Sequence, residues 1–213
     1  IASGIGANEI EQAKKIYRIP GYLKLLIELK KLDASWSLIL SPRGDSALSG
    51  SVEEHVGFYY RSSLVFPKFN QYCYDSQNIK ENSDSFACLV NYGDKNKFVS
   101  RRPFIGSFKA QSMSFTVIAS HVVFNFSGDE DQASELVKTI YNKNSIDEIG
   151  MGVNSVNFAR FAEIKLAVDF MKKYIDKYGD QKIMISSDMN LTPDIDYWSE
   201  VLKNIPGFEL LIK

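Results

Sequence analysis

The chain has 213 residues, room for one large domain or two small ones, and its 45% hydrophobic and 13% aromatic content can fill a sizeable core. A formal net charge of −1 gives no global basic field to draw in nucleic acid, so any such contact needs a local patch. No run approaches the roughly 18 apolar residues of a membrane span, and the two cysteines, Cys73 and Cys88, leave both a secreted and a cytoplasmic location open.

Ile1 stands first in place of Met, the expectation for a processed or partial product, and a removed export signal is one way to it. Residues 1–3 read as the end of a strand before Gly4-Ile5-Gly6. Residues 8–17 have helix composition, with Asn8 as cap and Glu9 and Glu11 in the first turn, and Pro20-Gly21 breaks it. Residues 22–32 form a second helix, apolar nearly all round except for its lysines and Glu28, which predicts packing on a sheet. A strand at 35–40 and a Pro/Gly/Ser-rich loop at 41–51 follow. In the strand at 53–62, alternation puts Glu54, Val56, Phe58 and Tyr60 on one face and His55 and Arg61 on the other.

Residues 64–74 read as the next strand, interrupted by Pro67, and 75–84 as a polar loop. Cys73 and Cys88 flank that loop on successive strand-like pieces, and a disulfide between them is expected only in an exported protein. Residues 98–108 carry Arg101-Arg102-Pro103 and then an apolar alternation, and a β-branched strand at 114–120 ends in His121. Residues 125–157 are least regular, with a helical piece at 129–141 and a Gly/Asn/Ser-rich piece at 150–157. Residues 158–178 are the clearest helix: Phe161, Ile164, Val168, Met171 and Ile175 recur at three- and four-residue steps, and Gly179 stops it. The apolar run from Ile183 reads as a buried strand ending in Asp188 and Asn190. Residues i and i+2 of an extended chain point the same way, so this carboxylate and carboxamide are expected to project together, suited to a hard cation or an activated water. The ordinary alternative is a turn, since Asp, Asn and Pro end strands. A short helix at 197–202 and a strand at 208–212 close a layered α/β or α+β chain, read as one domain spanning 1–213.

Five polar residues stand at ends of apolar strands: Glu54, Arg101, His121, Asp188 and Asn190. Singly each has a plain reading as a solvated strand end, a surface pair or a satisfied histidine. Jointly they suit a phosphate site, because Arg offers a fixed fork of donors and His a proton near neutrality. They are expected to line one cleft, with His121 and Asp188 close enough to share a phosphate and with His55 and Arg102 pointing elsewhere.

The order of these pieces carries a resemblance. Glu54 is followed after five residues by Tyr60-Arg61; Ser100-Arg101-Arg102-Pro103-Phe104 opens a later strand; Ser120-His121 closes another; Ser187-Asp188-Met189-Asn190 closes a fourth, with Tyr197-Trp198 and Phe208-Glu209-Leu210-Leu211-Ile212 beyond. Over roughly residues 35 to 213 this resembles the endonuclease/exonuclease/phosphatase superfamily, and within it the deoxyribonuclease I branch. The resemblance implies a four-layer α/β sandwich of two packed β-sheets flanked by helices. It implies Mg²⁺-dependent hydrolysis of a phosphodiester, with Mn²⁺ or Ca²⁺ as other ions and DNA as favoured substrate; a monomer is expected, with a protein inhibitor or partner left open. It makes Glu54, His121, Asp188 and Asn190 catalytic, with Asp188 and Asn190 at the metal. Arg101, Asn190, Tyr60 and Arg61 become phosphate or substrate contacts.

The chain also departs from the family. Gly4 follows Ser3 where the first strand ends in Asn. No strand ending in Gln-Glu supplies a metal carboxylate, and no closing Ser-Asp-His follows, since His55 and His121 are the only histidines. The stretch 122–158 is longer than the family's loop. A shortened inactive relative, a fragment, or a sequence with segments missing between printed neighbours would each account for this, so parts of the N-terminal strands and the C-terminal catalytic segment are expected to be lacking. The other readings are a phosphatase or phospholipase of phosphoinositide or sphingomyelin type, and a non-catalytic binding module of the same fold.

Overall fold

A computed structural model describes residues 19–42, 54–76, 85–179, 182–192 and 197–198. The first described element is α1 (Gly21–Leu32), and Pro20 suits its start because the first helical N–H groups have no partner within the helix. β1 (Trp36–Leu40) and β2 (Gly57–Arg61) pair antiparallel, from Trp36↔Arg61 to Leu40↔Gly57, as a two-stranded sheet. After β3 (Val65–Pro67) come α2 (Gln71–Ser76), β4 (Ala87–Leu89) and a 3₁₀ turn at Gly93–Phe98. β5 (Phe104–Ala110) and β6 (Met113–His121) form a hairpin whose turn holds Gln111 at φ 53°. α3 (Glu130–Leu136) runs on into a π turn at Val137–Tyr141, then come α4 (Phe158–Tyr178) and β7 (Ile183–Asp188).

β3, β5, β6 and β7 lie in that order in a second, five-stranded sheet, with β4 also paired to β5. β6 and β7 run parallel, which demands a long crossover, and α4 lies within it. Alternation then builds the layers. Phe58 and Tyr60 of β2 face the five-stranded sheet, Phe58 stacking on Phe104 at 5.2 Å and meeting Phe108 edge-on at 5.3 Å. A Cβ at Gly106 would lie 2.8 Å from the Phe58 ring, so only glycine lets that ring reach the sheet. Tyr59 and Arg61 turn to the opposite face, where Tyr59 Oη donates to Tyr22 O of α1 at 2.9 Å and Arg61 pairs with Asp33. On the far face of the larger sheet, Ile105 and Ile118 pack with Met171 and Tyr174 of α4 and with the Cys73–Cys88 bridge. The order is therefore helix, sheet, sheet, helix, a mixed α/β architecture with two sheets. A second core gathers Phe158, Phe161 and Ala162 of α4 against Val122, Val123, Leu136, Val137 and Trp198.

Several elements differ from the sequence reading. The strand expected at 64–74 stops at Pro67, and Gln71–Ser76 is helical, because the Asn70 Oδ1 accepts from Cys73 N at 3.0 Å and caps a helix start. The strand expected at 53–62 begins only at Gly57, and of the two strand-like pieces expected to carry the cysteines, the one with Cys88 is β4 while the one with Cys73 is helical. α1 lies on the smaller sheet but keeps Leu23, Leu25, Ile27 and Leu32 exposed. The Cys73–Cys88 disulfide is formed, with Cα atoms 5.5 Å apart, inside the roughly 7 Å limit for such a bridge. The expectations for 1–18, 43–53, 77–84 and 199–213 lie outside the described residues.

Candidate functional site

The parallel pairing of β6 and β7 ends on the partners His121↔Asp188. Register partners in a sheet project to the same face, so an imidazole and a carboxylate emerge side by side from two strand ends. Their side chains approach to 4.0 Å between His121 Nε2 and Asp188 Oδ2. Asp188 is 68% exposed and His121 36%, so the pair opens to solvent at the carboxyl ends of parallel strands, a usual location for a site in such sheets.

The other sheet supplies Glu54 from the segment leading into β2. Ser41 fixes that segment: Val56 N donates to Ser41 Oγ at 3.0 Å and Ser41 N to Val56 O at 2.8 Å. The Glu54 carboxylate then joins two partners. Oε2 lies 2.8 Å from His121 Nδ1, and Oε1 accepts from Arg101 Nη2 at 3.0 Å. Arg101 Nε lies 2.9 Å from Oε2 as an ion-pair contact without an aligned hydrogen bond. Carboxylate oxygens only accept, so His121 Nδ1 carries the hydrogen and Nε2 is the atom turned toward Asp188. Arg101, Glu54, His121 and Asp188 thus form one chain of contacts across the two sheets.

Asn190 belongs to the site in a different way from the one expected. β7 ends at Asp188, and Asn190 adopts φ 50°, so the two side chains do not project together as i and i+2 of a strand. A turn wins because Asp188 Oδ1 accepts from Asn190 N at 3.1 Å, the local hydrogen bond that Asp and Asn favour. The Asn190 amide donates to Val122 O at 2.8 Å, tying the exits of β7 and β6 together. Arg101, expected on the phosphate, has a side chain 12% exposed and is taken up by Glu54. Tyr60 and Arg61 stand apart. Arg61 pairs with Trp36 at the other end of β2, and seven residues of extended chain separate it from Glu54 by about 23 Å. Its guanidinium meets Asp33 at 2.5 Å, and Tyr60 lies beside Phe108 in an apolar cavity of about 340 Å³ with Trp36, Phe58 and Phe115. His55 turns away to Ser41 O at 2.8 Å and to the Tyr22 ring.

Two residues of α4 complete the surroundings, and sequence reasoning passed over both. Buried Glu163 accepts from Ser100 N at 2.7 Å, Ser100 Oγ at 3.2 Å and Val123 N at 3.4 Å. Burial pushes its carboxyl up to about 7, against the pull of those donors and of Arg101 nearby. Arg160 donates from Nε to Phe124 O at 2.8 Å and from Nη1 to Asn190 O at 2.7 Å, with Nη2 also on Phe124 O. The overlooked signal is that 158–168 is apolar or small except for Arg160, Glu163 and Lys165, so charges sit in a stretch with little water to offer them.

Among the described residues, no three His, Cys, Asp or Glu side chains gather as a self-contained metal site. Mg²⁺ needs less, since it keeps several waters and takes one or two carboxylates plus substrate phosphates. Asp188 offers an exposed carboxylate for that arrangement, whereas the Glu54 oxygens already serve Arg101 and His121. The donor set would suit a divalent cation held by Asp188 jointly with a substrate phosphate, and Asn190, expected at the metal, uses its Nδ2 on Val122 O.

No protein-family model matches the chain, and no match to it was found among the curated proteins. Among solved structures, the chain is similar to an endonuclease/exonuclease/phosphatase family protein from Bacteroides thetaiotaomicron, with 11% identity and a TM-score of 0.43 over 86% of this chain and 52% of that one. The chain spans about half the length of that protein.

Proposed function

We propose that this chain is a divalent-metal-dependent phosphodiester hydrolase, with DNA as its substrate. One observation carries the reading: Glu54 bridges Arg101 and His121, and His121 presents Nε2 to Asp188 across 4.0 Å. One oxygen atom placed about 2.8 Å from both Nε2 and Oδ2 would subtend an angle of roughly 90°, so a water, which can donate to the carboxylate, can sit between them.

Each residue then has a part. Glu54 holds the imidazole by its Nδ1–H, while Arg101 holds Glu54. Protonated His121 donates from Nε2 to a non-bridging oxygen as negative charge builds there, the kind of fixed donor worth about 3–4 kcal/mol in a transition state. Asp188 aligns the attacking water or carries the cation. When bound, the cation supplies Lewis-acid stabilisation of the phosphoryl oxygens. Asn190 and Arg160 keep the two strand exits at fixed separation.

The test is nicking of supercoiled plasmid with Mg²⁺, Mn²⁺ or Ca²⁺, comparing the wild type with Asp188→Ala and His121→Ala. Each substitution is expected to lower kcat by roughly 10²–10³ while near-UV circular dichroism stays unchanged. Absence of nicking by the wild type with every ion, alongside hydrolysis of a phosphomonoester or of sphingomyelin, would move the substrate away from DNA. Equal rates in wild type and both variants would remove the site itself.

A further inference from the structure

We infer that Glu163 is the positioning residue of the site, acting from one turn of α4 on the chain segments that carry Arg101 and His121. The inference rests on the hydrolase reading for its consequence in catalysis, but its geometry stands independently. Ser100 immediately precedes Arg101, and Val123 lies just past His121 at the exit of β6. Both donate to the one Glu163 carboxylate, from Ser100 N, Ser100 Oγ and Val123 N. Arg160, three residues earlier and so on the same side of the helix, holds the next residue of that exit, Phe124, and the Asn190 carbonyl past β7. One helical turn thereby fixes the separation between the lead-in to β5, the exit of β6 and the exit of β7, which together bear Arg101, His121 and Asp188.

The chemistry explains why a carboxylate stands there. A buried carboxyl costs desolvation that an apolar residue would avoid, so its presence requires partners that repay it. Three donors converge on Glu163, and both oxygens of a carboxyl group can accept, even with a proton on one of them that Ser100 Oγ can take up. An amide of the same shape keeps one accepting oxygen and turns an NH₂ group toward N–H donors. Glutamine therefore fills the volume but leaves either Ser100 N or Val123 N facing its NH₂ group, because the two donate to different oxygens of Glu163. Displacing either segment alters the angle at which Arg101 and His121 meet Glu54, and catalytic geometry is sensitive to shifts of about 1 Å.

The experiment uses Glu163→Gln and the fact that the chain has two histidines. Long-range ¹H–¹⁵N spectra of the imidazoles report which ring nitrogen carries the hydrogen. In the wild type, His121 shows hydrogen on Nδ1, fixed by Glu54, and His55, bonded to Ser41 O on another face, serves as internal reference. In Glu163→Gln the His121 signals shift toward a mixture of tautomers while those of His55 stay in place. In plasmid nicking, kcat falls by about tenfold or more with KM within about twofold, as a lost positioning contact should produce. Unchanged His121 signals and unchanged kcat in a folded variant overturn the inference. If Glu163→Gln does not fold, Ser100→Ala, which deletes one donor and keeps the backbone contact, shows the same changes at smaller size, and no change in it also overturns the inference. A wild type that hydrolyses neither DNA, a phosphomonoester nor sphingomyelin defeats the hydrolase reading, and the His121 spectra then still decide the role of Glu163.

Discussion

Glu163 should make the fold more stable in mild acid than at neutral pH. Its carboxyl sits at about 7 in the fold against 4.5 for the free side chain, because burial outweighs the hydrogen bonds from Ser100 and Val123 and the charge of Arg101. The other ionisable group facing it is Tyr92, whose hydroxyl is driven far up first by its own burial and then by the Glu163 charge. With its native pKa raised, the folded chain holds the proton more tightly than the unfolded chain does. The contribution is therefore full below about 4.5 and is lost as the pH rises through about 7. At about 1.4 kcal/mol per pH unit, the span corresponds to about 3 kcal/mol. Urea titrations at about pH 5, 6, 7 and 8 on the wild type and Glu163→Gln measure it, since every other titrating group cancels in the difference. The wild type should lose about 3 kcal/mol relative to the variant between the ends of that range. A difference that stays flat with pH would refute the reasoning and mean that the three donors keep the carboxylate ionised throughout.

The Cys73–Cys88 bridge closes a separation of 15 residues, so reducing it should cost about 3 kcal/mol and lower Tm by roughly 6–12 °C, read by thermal melts with and without reductant. Gly106→Ala forces a Cβ to 2.8 Å from the Phe58 ring and should destabilise by about 1–3 kcal/mol in denaturant titrations; a neutral result would show that the two sheets can slide apart at no cost. Arg61→Ala, at the far end of β2, should leave plasmid nicking within about twofold, whereas Arg101→Ala, which leaves Glu54 unheld, should lower kcat by roughly a hundredfold. Equal losses in the two would place the substrate along the whole of β2.

Periodicity carried much of the fold. α4 was legible end to end because its apolar repeat is long and Gly179 closes it in a left-handed turn at φ 68°. β6 and β7 were legible as apolar runs with polar ends. Short elements were not: α2 depends on a single capping side chain, Asn70, and its Tyr72 and Tyr74 equally suit a strand. Within the site, alternation along one strand tells which residues share a face but not what lies across from them. That His121 faces Asp188 is a property of inter-strand register, and that Glu54 reaches both Arg101 and His121 depends on how one sheet lies on the other. The Asp188–Asn190 spacing was ambiguous between strand and turn until the backbone settled it with a left-handed Asn190. Arg160 and Glu163 were hidden by their helix, where a charge three residues from another usually means a solvated face.

The charges of the cluster bear on the proposed role of a cation. Arg101 and Glu54 neutralise each other, and their contact lies partly out of water. That leaves Asp188 and His121 open to solvent, so with the imidazole neutral the pair presents a net negative charge. A phosphodiester is itself an anion, and two unit charges about 4 Å apart repel by about 4 kcal/mol near a protein surface. Protonating His121 cancels the charge of Asp188 but brings the site only to neutrality. On the proposed reading, a divalent ion held by the exposed Asp188 carboxylate would reverse the sign of the charge that an anionic substrate meets there. Within the cluster formed by Arg101, Glu54, His121 and Asp188, the Asp188 carboxylate is the one not paired with Arg101, which suits it to the proposed role, whereas Glu54 is taken up by that arginine.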